Sequence, residues 1–140
     1  MPVSFSHLSN NFSPQKKSFV KKWISFIIRK EKKSEGKIIF IFCTDDELLK
    51  LNKQFLNHDT FTDIITFDYG VDKKIAGEIY VSVDRVEENA KKFEIDFEIE
   101  LRRVLIHGVL HLCGHGDKSI SQKKVMRKKE EEALKIFMKQ

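Results

Sequence analysis

Residues 101–112 read Leu-Arg-Arg-Val-Leu-Ile-His-Gly-Val-Leu-His-Leu, and no feature of the chain limits its fold more. Leu101, Val104, Leu105, Ile106, Val109, Leu110 and Leu112 leave such a helix almost no polar face. A helix that is apolar all round has to be covered all round, so the other elements must enclose it. Two histidines nevertheless sit in it, His107 and His111, four residues and so one turn apart on one face. That spacing lets two imidazoles from one helix grip a single metal ion. Gly114 comes next, a residue suited to leaving a helix in the left-handed conformation and turning the chain back. The return carries His115 and Asp117 towards the pair as candidate third ligands, in the pattern His-x3-His-x2-Gly-x2-Asp. Gly108 costs the helix about 1 kcal/mol relative to alanine, which implies a close approach to the backbone by a ligand or by a packed neighbour. Cys113 is expected to pack as a small apolar side chain rather than to ligate.

The elements available to enclose this helix can be read from periodicity and turn chemistry. A first strand is expected from Val3 to His7. Ser13 would cap a helix with Pro14 in its first turn, running to about Lys32 with Phe19, Val20, Trp23, Ile24 and Ile27 as its apolar stripe. Gly36 ends the connection, and Lys37 to Cys43 is apolar enough to be a central strand covered on both faces. Thr44 and Glu47 form a capping box for a short helix through Leu48, Leu51 and Phe55, with a polar loop over 56–63. Strands from Ile64 to Asp68 and from Ile75 to Ser82 flank a hairpin connection. Asp84 and Glu87 open a helix through Val86, Ala90 and Phe93. Asp96 then starts the histidine helix, and Ser119 with Gln122 caps a last basic helix ending near Met138. The order β-α-β-α-β-β-α-α-α predicts one α/β (α+β) domain over residues 1–140, a mixed sheet of about four strands packed by about five helices.

Charge is segregated along the chain. Residues 1–36 carry eight Lys/Arg against two acids, 118–140 carry eight against three, and 37–117 carry ten against sixteen. Basic flanks beside a metal motif suggest a polyanionic substrate such as nucleic acid; the alternative is that these lysines are the solvated faces of two surface helices. Lys16, Lys17, Lys21, Lys124 and Lys128 are the residues expected to form a track near the metal cleft. The longest apolar run, Ile38 to Cys43, is too short to span a bilayer, and residues 1–12 lack the pattern of a secretory signal. Cys43 and Cys113 fit neither a disulfide framework nor a four-cysteine zinc site, so a reduced, cytoplasmic protein is expected.

The stretch His107-Gly-Val-Leu-His111-Leu-Cys-Gly114-His-Gly-Asp117 resembles the signature of the YbeY family, metal-dependent single-strand endoribonucleases of rRNA processing, ribosome maturation and quality control. Two further blocks are similar to that family in the same order. They are Leu51-Asn52-Lys-Gln-Phe55 with Asp59 and Thr62-Asp63-Ile64-Ile65-Thr66-Phe67, and Ala76-Gly77-Glu78-Ile79-Tyr80-Val81-Ser82. The resemblance covers roughly residues 48–117. It implies one metal ion, zinc or another divalent ion, on His107, His111 and a third ligand ten residues after the first. Asp117 stands there in place of the family's usual histidine. Leu56 replaces a family arginine of the Leu-Asn block, which leaves phosphate stabilisation to Lys53 or His58. Glu78 replaces an aspartate.

Two histidines and a carboxylate leave a fourth zinc position open for water, as catalytic rather than structural sites do, and zinc lowers the pKa of such a water to about 7. Endoribonuclease is therefore the first reading, with His107, His111 and Asp117 as ligands and His115 near the site or merely in its loop. The expected partners are single-stranded RNA or rRNA and the ribosome or a ribosomal protein, with no membrane and no nucleotide cofactor; the oligomeric state is left open. A non-catalytic RNA- or ribosome-binding factor with a structural zinc is the second reading. A zinc protease is the third, and is disfavoured because Gly108 stands where His-Glu-x-x-His places its general base. Glu78 or Asp63 could take that part only if folding brings one to the metal. Asp59 and Asp63 are expected to organise their loop through backbone bonds.

Overall fold

The computed structural model describes residues 3–56 and 63–138. Its elements keep the predicted order: β1 (Val3–His7), α1 (Lys17–Lys30), β2 (Ser34–Cys43), α2 (Asp45–Leu56), β3 (Ile64–Asp68), β4 (Lys74–Ser82), α3 (Val83–Lys92), α4 (Phe97–Leu112) and α5 (Ile120–Met138). The strands form one mixed sheet in the order β1-β2-β4-β3, with β1, β2 and β4 parallel and β3 antiparallel on its edge. β2 is therefore interior, as its apolar run demands.

Alternation along the strands divides the sheet into two faces. Val3, Ile38, Phe40, Phe42, Ile75, Ile79 and Val81 join the main core with α1, α4 and α5. Cys43, Leu48 and Ile65 form a small second core under α2 on the opposite face. α4 lies between sheet and outer helices, and Leu101, Val104, Leu105, Ile106, Val109 and Leu110 are each no more than 1% exposed. The outer layer is tied together where Trp23 Nε1 on α1 donates to the Ala133 carbonyl on α5 at 2.8 Å.

Capping boxes stand where the sequence predicts them. Thr44 and Glu47 exchange bonds of 3.2 and 2.9 Å at the start of α2, and Ser119 and Gln122 exchange two of 3.1 Å before α5. The first helix differs. Lys16 has φ 53°, a left-handed conformation that no helix interior accepts, so α1 starts at Lys17 and Ser13 and Pro14 lie outside it. β2 begins at Ser34, and Gly36 falls inside it at a register shift rather than ending the connection. A Cβ there would lie 2.6 Å from the Ile75 carbonyl oxygen, so the two strands approach too closely for a side chain. Ser82, not Asp84, caps α3, accepting from the Arg85 amide at 3.1 Å, and Phe93 is left 54% exposed at the end of that helix. Among the described residues no helix is long and apolar enough to cross a membrane.

Candidate metal centre

The centre is built on α4 and the turn beyond its C-terminal end. Asp96 caps the start of the helix, its carboxylate accepting from the Glu98 amide at 2.8 Å. At the far end the His115 amide donates to the Leu110 carbonyl at 3.0 Å and the Gly114 amide to the His111 carbonyl at 2.9 Å. This pair of bonds is a Schellman motif, which needs a residue at positive φ, and Gly114 supplies it at 104°. The chain reverses there and brings Asp117 back over the last turn. Gly108 answers the packing alternative: a Cβ on it would sit 2.8 Å from Ile64 Cδ1 and 3.0 Å from Ile79 Cγ2. α4 is thus pressed against β3 and β4, and the histidines, about 60–100° round the helix from Gly108, are held at the flank of that contact.

Three donor atoms converge. His107 Nε2 and His111 Nε2 are 3.0 Å apart, and Asp117 Oδ2 lies 3.3 Å from the first and 3.4 Å from the second. Donors at about 2.0–2.1 Å from a tetrahedral zinc stand roughly 3.3 Å from one another, so the spacing fits such an ion. Among the described residues this is the one group of three whose ligand atoms lie within 4.8 Å of each other. The donor chemistry fits as well. Glu130 Oε2 lies 2.5 Å from His107 Nδ1. A carboxylate accepts, so Nδ1 carries the hydrogen, and in the neutral ring Nε2 then turns a lone pair towards His111 and Asp117. Three electron-rich atoms facing one point call for a cation.

Behind His107 lies a buried charged chain. Glu130 is 3% exposed, and its other oxygen accepts from Arg103 Nη1 at 3.0 Å. Arg103 also donates through Nε at 2.9 Å and Nη2 at 2.5 Å to Glu100, which is fully buried. Two carboxylates against one guanidinium leave one negative charge in excess, and His107 faces it. Burial pulls the His107 pKa down, but the bond to Glu130 and its charge, helped by Asp63 and Asp117, outweigh this and raise it above the ordinary 6.5. Burial pushes Glu130 up, yet His107 and Arg103 prevail and hold it below the usual carboxylate range. Burial likewise opposes the charge on Arg103, and the two glutamates more than restore it.

The remaining predicted residues fall elsewhere or only near. His115 turns from the triad: its Nε2 lies 2.6 Å from Glu31 Oε1 at the end of α1, and Lys129 of α5 holds the other Glu31 oxygen at 2.8 Å. Asp63 stands before β3, its carbonyl accepting from the Ser82 amide at 3.0 Å, and its charge is felt at His107. Glu78 neighbours Ile79 on β4 and so points to the α2 face, where it accepts from the Tyr69 hydroxyl at 3.0 Å. It is therefore removed from the triad. Lys53 is exposed on α2, across the sheet from α4. His58, Asp59 and the rest of the loop over 57–62 lie outside the described residues. Cys113 is buried, and burial together with the Glu31 charge pushes its thiol up to about 11. Cys43, buried among Glu47, Asp84 and Asp45, is pushed up to about 12. Both thiols stay protonated, as a packing role requires.

A family model described as Endoribonuclease YbeY matches residues 5–138. The chain belongs to the YbeY family. It is 56% identical over 115 residues to Endoribonuclease YbeY of Flavobacterium psychrophilum, covering 82% of each chain. With the Flavobacterium johnsoniae protein of the same name it is 49% identical over 135 residues, covering 96% of each. The solution structure of a Thermotoga maritima protein superposes with a TM-score of 0.68 at 30% identity, covering 96% of this chain and 88% of that one.

For this YbeY-family chain, sequence reasoning names the three converging residues and misses the charged chain behind them. Glu100 and Arg103 carry a signal, since two opposite charges three residues apart on an otherwise apolar helix must be paired to be buried. Glu130 carries none. It is one of three consecutive glutamates on a basic helix, and its contact with His107 spans 23 residues. The expected lysine track also shifts. Lys124 and Lys128 are exposed, but Lys123 and Arg127 line the cleft of about 270 Å³ that opens beside His107, Asp117 and Glu130. Lys16 lines a separate cavity with Phe19 and Arg102, and Lys21 lies over the Phe5 ring at 5.7 Å.

Proposed function

We propose that this protein is a zinc-dependent endoribonuclease that cuts single-stranded RNA phosphodiester bonds, acting on rRNA during ribosome maturation and quality control in the cytoplasm. The observation that carries the reading is the convergence of His107 Nε2, His111 Nε2 and Asp117 Oδ2 within 3.0–3.4 Å at the wall of an open, cation-lined cleft. Membership of a family whose named relatives are endoribonucleases supports it. Three protein donors rather than four match a catalytic zinc site. Bound there, the ion would act as a Lewis acid towards a phosphoryl oxygen and acidify water at the site.

The chain's own residues do the rest. Glu130 accepts the His107 Nδ1 hydrogen and so fixes both the tautomer and the ring plane; Arg103 and Glu100 fix Glu130 in turn. Asp117 adds a negative charge to the donor set and, with its side chain 41% exposed, lies on the solvent side of the triad where a substrate enters. The Gly114 turn and the His115–Glu31–Lys129 contacts hold Asp117's loop against α1 and α5. A peptidase would need a carboxylate base beside the triad, and Glu78, one of the two candidates, faces the other side of the sheet.

Metal analysis combined with cleavage of structured and unstructured RNA by the same sample tests the proposal. Stoichiometric zinc and chelator-sensitive cutting of the unstructured RNA alone are expected. Salt-sensitive RNA binding without cutting at any metal content would instead favour a binding factor, and metal-dependent loss of a peptide but not of RNA would favour a protease.

A further inference from the structure

We propose that Lys123 and Arg127 of α5 are the phosphate-binding residues of the cleft, gripping the RNA phosphate next to the metal triad; this rests on the nuclease reading. Lys123, Arg127 and Glu130 succeed one another at intervals of four and three, so they share one stripe of the helix. Glu130 is fixed against His107 at 2.5 Å, which aims that stripe at the centre. Both cations accordingly line the cavity of about 270 Å³ that His107 and Asp117 line from the other side.

Three cations border this cavity, and they are not equivalent. Arg103 is already bound to Glu100 and Glu130. Lys123 and Arg127 are exposed, and neither forms an ion pair with a described residue. A pair of such cations one turn apart is suited to a phosphodiester: the arginine fork takes two oxygens and the lysine adds a mobile point charge. Such donors also stabilise the charge that builds on the phosphoryl oxygens during cleavage. Lys124 and Lys128, about 100° further round the helix, do not line the cavity, so they carry the same charge without the same aim.

The test uses the full-length zinc-loaded protein, a single-stranded oligoribonucleotide for cleavage, and a 2′-O-methyl strand, checked intact on a gel, for anisotropy at graded salt. The Lys123→Ala/Arg127→Ala double variant should keep its zinc, bind about tenfold or more weakly and cut with a raised KM. Its log K against log salt should be shallower by about 0.7, the contribution of the one phosphate no longer neutralised. Arg127→Lys alone should keep the slope while losing affinity, since charge survives and the fork does not. An unchanged slope in the double variant, or an equal loss in Lys124→Ala/Lys128→Ala, would overturn the assignment. A wild-type protein that binds with the expected slope but never cuts would uphold these two phosphate ligands and overturn the nuclease reading. One that neither binds nor cuts would overturn both.

Discussion

Replacing Glu130 with glutamine isolates the part of the site that lies behind the donors. Glutamine keeps the volume of a side chain that is 3% exposed, so no cavity opens. Its single carbonyl oxygen cannot do what two carboxylate oxygens do, accepting from Arg103 on one side and from His107 on the other. With the amide oxygen turned to Arg103, its NH2 faces His107, which must either meet it N–H to N–H or move its hydrogen to Nε2 and lose the lone pair that faces the metal. One charge-assisted bond is removed, at about 1.5–3 kcal/mol, and the buried cluster loses the excess negative charge that favours a cation at His107. Removing such a partner costs about 10–100-fold in metal affinity, or about 1.4–2.8 kcal/mol. The pH of the assay matters, because the His107 pKa is raised and a metal must displace its proton near and below that value. Glutamine would relieve this competition and mask part of its own effect, so the full loss appears only well above the raised pKa. We expect chelator-competition titrations at rising pH to show, once the ratio to wild type levels off, zinc affinity down at least tenfold, with near-native circular dichroism. A folded Glu130→Gln protein that holds zinc within twofold of wild type would refute the reasoning.

Other perturbations separate packing from chemistry. Gly108→Ala regains about 1 kcal/mol of helix propensity but drives a Cβ to within 2.8 Å of Ile64 at about 1–3 kcal/mol, so a net loss of up to about 2 kcal/mol is expected in thermal or urea unfolding; a raised midpoint would mean that Ile64 and Ile79 give way without cost. Asp117→Ala should lose metal whereas His115→Ala should keep it, and the reverse pattern in metal analysis would put His115 in the donor set. Burial pushes the Glu31 pKa up, but Lys129 and His115 outweigh it, so the folded value lies below the ordinary 4.5. Its contribution to stability is then present above that value and fades as pH falls through the folded pKa. Glu31→Gln should flatten the acid limb of the melting-temperature profile.

Legibility in the sequence tracks the range of the interaction. Local chemistry is readable: the capping boxes at Thr44 and Ser119, the cap at Asp96, the turn at Gly114 and the interior strand from its apolar run all depend on residues within a few positions of one another. The start of α1 is not, because Ser13 and Pro14 look like a helix start, while nothing in the local pattern marks the left-handed Lys16 that moves it. Gly36 reads as a connection because its neighbour, the Ile75 carbonyl, is 39 residues away. His107, His111 and Asp117 lie within one turn of helix and its return, and so are visible together. Glu130, Lys123 and Arg127 are not, since only the docking of α5 on α4 brings them to the cleft.

That docking gives α5 a part beyond covering the core. Its inward stripe supplies Met126, Ala133 and Phe137 to the core, and between them it delivers Glu130 to His107. Lys129, on the neighbouring stripe, fastens the Glu31–His115 contact that anchors the loop bearing Asp117. Each charge taken to this depth is costly and is offset only by complete pairing. Apolar residues at 100, 103 and 130 would fill the same space without that demand, but they would leave the His107 ring free to rotate and its tautomer undetermined. The chain thus trades an easier core for a histidine held in one orientation, and the helix that completes the pairing also brings Lys123 and Arg127 to the cleft. Orientation of His107, anchoring of Asp117 and the charge of the cleft wall therefore arise together, in the one step that packs α5 on α4.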